Sequence, residues 1–106
     1  MLYVMDDQFG RIDICELTVF DIVFIRYLLG NESKVTANPK IRERSERLAA
    51  ELKAGGEYEL AWSDVFLIST ILLNESIATN NPKTEEQADS LLSKFEAAAK
   101  NIIATV

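Results

Sequence analysis

The sequence predicts a mainly α-helical protein, a pseudo-symmetric four-helix bundle made from a duplicated helical hairpin and preceded by a short β-hairpin. Three observations lead there. The chain matches itself at a spacing of 43 residues, and each copy carries an Asn-Pro helix start signal. The first fifteen residues have strand-like composition around a turn. A length of 106 residues suits one domain with one hydrophobic core. The expected organisation is a single domain, 1–106, divided into an extended or hairpin segment (1–15) and two helical hairpins (16–56 and 57–106).

In the N-terminal segment, Leu2-Tyr3-Val4-Met5 and Arg11-Ile12-Asp13-Ile14-Cys15 flank the polar run Asp6-Asp7-Gln8-Phe9-Gly10. A lone hairpin is marginal in water, so this one needs support, and a partner chain pairing along its edge would give it. Met5–Glu16 also has the length of a calcium loop, with Gly10 sixth and Glu16 twelfth. Met5 and Phe9 occupy two ligand places and cannot bind calcium through their side chains. A turn is the better reading.

The repeat is ungapped. Between positions 16 and 40, 12 of 25 residues are identical to those 43 positions later. Unrelated pairs of this composition agree at roughly one position in fifteen. The first helix opens at Thr18-Val19-Phe20-Asp21, a capping box with Asp in place of Glu. It is expected to stop at Gly30, and its counterpart at Asn74, each followed by a loop of eight or nine residues. The second helix of each copy starts at Asn38-Pro39 or Asn81-Pro82, an N-cap asparagine followed by proline at the first helical position. Gly55-Gly56 is expected to close the second helix and separate the copies.

The helices fall into two kinds. In 17–29, ten of thirteen residues are apolar, and in 60–73, ten of fourteen. Helices apolar on nearly every side lie in a core or in a subunit interface. The other two are amphipathic, with Ile41, Leu48, Ala49 and Leu52 on one face and Ala88, Leu91, Leu92, Phe95, Ala99 and Ile102 on the other's. Two repeats are too few for an open solenoid, so a closed bundle is expected.

Composition excludes several functions. Lacking histidine and holding one cysteine, Cys15, the chain has no His-based triad, no His- or Cys-built zinc site and no internal disulfide. A formal charge of −6 argues against a dedicated nucleic-acid binder. No secretory signal or membrane span is visible, and Asn31-Glu32-Ser33 and Asn74-Glu75-Ser76 are not read as glycosylation sites. A cytoplasmic protein without cofactor or metal is expected.

Four groups of residues carry functional readings beside structural ones. Asp21 and Asp64 stand at equivalent places near the starts of the apolar helices. Across a core they would bind a metal or small ligand, or share a proton, whereas in first turns they would satisfy free backbone N–H groups. Arg26 is a candidate ion partner for one of them. The repeated Asn-Glu-Ser-x-x-Thr-x-Asn-Pro-Lys reads mainly as capping, but Glu32, Glu75, Lys40 and Lys83 exceed what capping needs. Arg42, Arg44 and Arg47 would contact phosphates if free. They alternate with Glu43, Glu46 and Glu51, which suggests a solvated face with pairs such as Glu43–Arg47. Phe20, Tyr27, Tyr58 and Trp62 are core or interface anchors, with Trp62 the leading interface candidate.

No nucleophile–base pair, phosphate loop or metal cluster is present in the sequence, so an enzyme is the weaker class. The expected function is that of a small intracellular interaction or regulatory protein, of inhibitor or accessory type, binding a protein partner or homodimerising. The alternatives are a nucleic-acid-associated regulator using basic helix 39–54, and a ligand- or metal-binding bundle or enzyme using Asp21 and Asp64.

Overall fold

The computed structural model describes residues 1–105, with side chains described through Lys100. It is mainly helical, with four helices and a short N-terminal strand pair. The elements run β1 (Leu2–Asp6), β2 (Gly10–Cys15), α1 (Val19–Val35), α2 (Pro39–Glu51), β3 (Tyr58–Glu59), α3 (Trp62–Ala78) and α4 (Pro82–Thr105).

The hairpin forms as the strand pattern predicts. β1 and β2 pair antiparallel, with an irregularity between Leu2 and Tyr3. Its turn is set by Asp6, whose Oδ1 accepts the N–H groups of Gln8 and Phe9 at 2.8 and 3.0 Å. Support comes from within the chain. β3 pairs parallel with β1, which becomes the central strand of a three-stranded sheet ordered β2-β1-β3. Tyr58 donates its N–H to the Met1 carbonyl at 3.1 Å, and Leu60 to that of Tyr3 at 2.7 Å. Leu2 and Val4 point into the core, and β2 packs against α4. Arg11 pairs with Asp13 of its own strand (2.7 Å) and ties the sheet's rim to the α2–β3 connection through Glu57, its guanidinium 4.2 Å from the Tyr3 ring centroid.

Helix starts follow the caps. Thr18 and Asp21 form a reciprocal capping box at 3.1 Å each way. Asn38 accepts from the N–H groups of Lys40 and Ile41, and Asn81 from that of Lys83. Helix ends depart from expectation. α1 runs five residues past Gly30 to Val35, and α3 runs past Asn74 to Ala78. Gly30 is not among the glycines with positive φ, so it does not act as a left-handed cap. The Asn-Glu-Ser motif is therefore the last turn of each helix rather than a loop. The true connections are only residues 36–38 and 79–81, each turned by a threonine hydroxyl that accepts the asparagine N–H at 3.2 Å. α2 ends at Glu51, short of Gly55-Gly56, whose φ of +76° and +69° instead turn the chain toward β3.

α1 packs on α2, α3 on α4, and α1 on α3. One apolar cluster joins all the main elements, with Ile25, Leu29, Leu48, Leu52, Ile68, Leu72 and Phe95 fully buried. Leu48, Leu52, Leu91 and Phe95 come from the predicted amphipathic faces; Ile41, Ala49, Leu92 and Ala99 lie half-buried beside them. Ile102, assigned to the same face, lies outside the described side chains. Burial follows the 43-residue spacing, so that Ile22, Ile25, Leu28 and Leu29 match Val65, Ile68, Ile71 and Leu72.

Among the described residues, one position breaks polar satisfaction. Ser45 on α2 is fully buried and its hydroxyl has no hydrogen-bond partner, whereas the equivalent buried position on α4 is Ala88. An unpartnered buried hydroxyl costs about 1–3 kcal/mol. Ser45→Ala is expected to stabilise the protein by about 1 kcal/mol and raise the thermal midpoint by several degrees. A lower midpoint in a calorimetric scan would show that the hydroxyl is satisfied.

Candidate functional site

The buried acid is Asp64, only 3% exposed, on the first turn of α3. Its Oδ2 accepts the Ala61 N–H at 3.0 Å, completing half of a capping box whose other half is lost because Ala61 has no side-chain acceptor. Its Oδ1 faces two guanidinium groups from α2, Arg47 Nη2 at 3.0 Å and Arg44 Nε at 3.5 Å. The pairing that sequence suggested for Arg26 is thus made by Arg44 and Arg47. Arg26 is exposed and forms no ion pair among the described residues. Arg47 also reaches Glu51 at 3.8 Å, in place of the anticipated Glu43.

Asp21 is half-buried at the matching place on α1. Its Oδ2 accepts the Thr18 N–H, and Gln87 of α4 stands 3.5 Å from its Oδ1. Gln87 lies 43 residues after Arg44, so each acid receives a side chain from the amphipathic helix of the other half. The two acids share no hydrogen-bond partner. Each fastens its own helix start, which is work that capping and interhelical contact account for. Among the described residues no group of three or more acids or thiols is placed to hold a metal ion.

The arginines of α2 are also occupied. Arg42 donates to the Thr36 carbonyl at 2.9 Å, bracing the α1–α2 connection, and Arg44 and Arg47 neutralise Asp64. Lys40 lies beside Arg44 and Arg47 in one shallow depression, whereas Lys83 is exposed at the start of α4. Glu32 and Glu75 come together. With Asn31 and Asn74 they line a cleft of ≈ 170 Å³ between the C-terminal halves of α1 and α3, floored by Leu28 and Ile71.

The aromatic anchors divide. Trp62 is half-buried against the core and bound to the hairpin, its Nε1–H donating to Asp6 Oδ2 at 2.9 Å. Its ring centroid lies 6.4 Å from that of Phe66. Tyr58 is half-buried, with its hydroxyl donating to the Glu51 carboxylate; burial and that bond push its phenol up to about 12. Burial pushes the Cys15 thiol up to about 11, leaving it protonated and unreactive at neutral pH. Phe20 (82% exposed) and Tyr27 (65%) face solvent.

They are not alone. Of the nine large apolar side chains exposed among the described residues, all except Met5 lie on α1 or α3. Val19, Phe20, Val23, Tyr27 and Val35 are on α1, and Phe66, Leu73 and Ile77 on α3. The apolar helices are thus left uncovered on one side. Phe66, Leu73 and Ile77 were missed from sequence, although for the first two the apolar count of 60–73 already held more such residues than one buried stripe accepts.

No family model matches this chain, and no curated protein or solved structure matches it. Among the described residues, no helix is long and apolar enough to cross a membrane.

The Trp62–Asp6 bond yields a pH dependence. The indole N–H, followed by the Gln8 and Phe9 N–H groups, holds the Asp6 carboxyl below its usual value. A folded-state value below the unfolded one contributes stability that is whole above about pH 4 and lost as pH falls through the lowered value. Trp62 is the sole tryptophan, so its emission reports the latch. Asp6→Ala is expected to lower the denaturation midpoint at pH 7, with the difference from wild type narrowing as the pH falls through the lowered Asp6 value. A difference that persists unchanged in acid would contradict this.

Proposed function

We propose that this chain is a duplicated helical hairpin closed into a pseudo-symmetric bundle, and that it works inside the cell as an interaction protein. The outer face of α1 and α3 is its docking surface. One observation carries the reading: eight large apolar side chains stand exposed on those two helices. Exposed apolar residues scattered singly are normal on any protein, but concentration on adjoining helices marks an interaction surface. The duplication is supported by the 43-residue spacing shared by the caps, the connections and the burial pattern.

The competing readings draw on side chains that have other work. Arg42, Arg44 and Arg47 bond to Thr36 and Asp64, and Asp21 and Asp64 accept backbone N–H groups at helix starts. The face of α1 and α3 has no such internal employment.

The test is site-specific photo-crosslinking in cells that make the protein, with a benzophenone amino acid at position 20, 27 or 86. Positions 20 and 27 are expected to give the same protein adduct of defined mass, lost when Val23→Asp is added, while position 86 on α4 gives none. Equal adducts from all three positions, or none from 20 and 27, would overturn the reading.

A further inference from the structure

We propose that the occupant of the α1/α3 face is a second copy of this chain, docked about a two-fold axis. This rests on the reading of that face as a docking surface and names its partner. Area, charge and one glycine point the same way.

The eight exposed apolar side chains present roughly 1,000 Å² per copy, taking 150–250 Å² for an aromatic residue and proportionately less for the aliphatics. A standard stable interface needs about 800 Å² per partner. The patch is therefore large enough to hold two copies together.

Charge restricts where such copies can meet. The protein carries a formal −6, and exposed acids occur on α2, on α4 and on the sheet and its connections. No exposed residue of α1 or α3 is acidic; Arg26 and Lys34 are their exposed charges. Two copies approaching through α4 or through the sheet and its connections set exposed acids against one another, whereas α2 mixes Glu43, Glu46 and Glu51 with the exposed bases Lys40, Arg42 and Arg47. On α1 and α3 no acid is fully exposed, and those nearest the surface are the half-buried Asp21, Glu32 and Glu75.

Gly30 is the third observation. It sits inside α1, where glycine is costly relative to alanine, and it lacks the positive φ that would require glycine. Packing within the chain does not require it either, because a Cβ there would meet no atom within 4 Å. Its counterpart 43 residues on is the exposed Leu73. The same opposition recurs along the face, where Phe20 matches Ser63 and Tyr27 matches Thr70. At these three pairs one helix is large where the other is small, whereas Val23 and Phe66, also equivalent, are both large. In a two-fold arrangement that sets α1 of one copy against α3 of the next, a knob on one meets a hollow on the other, and Gly30 is such a hollow.

Sedimentation equilibrium on the full chain across the micromolar range tests this with two variants. Wild type is expected to be a dimer that dissociates on dilution, and Tyr27→Glu a monomer with an unchanged circular dichroism spectrum. Gly30→Leu is expected to weaken dimerisation about tenfold or more by filling the hollow, while raising the thermal midpoint of the dilute monomer through better helix propensity. A dimer that survives both substitutions overturns the proposal, as does a wild-type monomer at every concentration. If that monomer still gives photo-adducts with another protein at positions 20 and 27, the second copy alone is wrong. If it gives none, the docking reading falls with it.

Discussion

Two helices that are apolar on almost every side need more cover than four helices and a small sheet can supply. Much of the structure follows from that constraint. α1 and α3 each turn one stripe inward, where Ile25, Leu29, Ile68 and Leu72 are fully buried among the amphipathic helices. They meet along a second side, over the Leu28–Ile71 cleft. Helical rotation leaves a third side pointing outward, and there Phe20, Val23, Tyr27, Phe66, Leu73 and Ile77 are exposed.

The polar interactions hold these helices in register rather than hiding them. Asp64 joins the start of α3 to α2, and Asp21 joins the start of α1 to α4. The two are unequal in consequence. Asp64 is buried while Arg47 is 45% exposed along its side chain, so losing both arginines would strand a buried carboxylate, whereas losing the acid would leave hydrated cations. Trp62 plays a third fastening role, since its indole pins the hairpin turn to the start of α3. The residues most suggestive of chemistry in the sequence are thus mostly those that fasten elements together.

Local signals were legible wherever the physics is local. Asn38-Pro39, Asn81-Pro82 and the Thr18–Asp21 box mark helix starts because a cap satisfies N–H groups two or three residues away. Helix ends were harder to see. Gly30 has the composition of a stop, but the chain continues because its neighbours accept helical geometry and Ser33 returns a bond to the Gly30 carbonyl. β3 is only two residues long and owes its existence to pairing with β1, more than fifty positions away. The partners of Asp64 were invisible for a related reason: Arg44 and Arg47 become its neighbours only once α2 folds back on α1 and the start of α3 comes within reach of their side chains. The candidate face was half legible. Phe20 and Tyr27 stood out as aromatics, but which apolar side chains of α3 turn outward depends on where the core lies.

Hydroxyl-radical footprinting of the full chain, performed at high and at low protein concentration, asks most directly whether the outer face finds cover outside its own chain. Oxidation of Phe20, Tyr27, Phe66 and Leu73 should be heavy in dilute protein and should fall together as the concentration rises. The exposed helix surface of 83–93 should remain equally oxidised throughout. Identical labelling of the four side chains at both concentrations would contradict the claim that their exposure is resolved by a second copy.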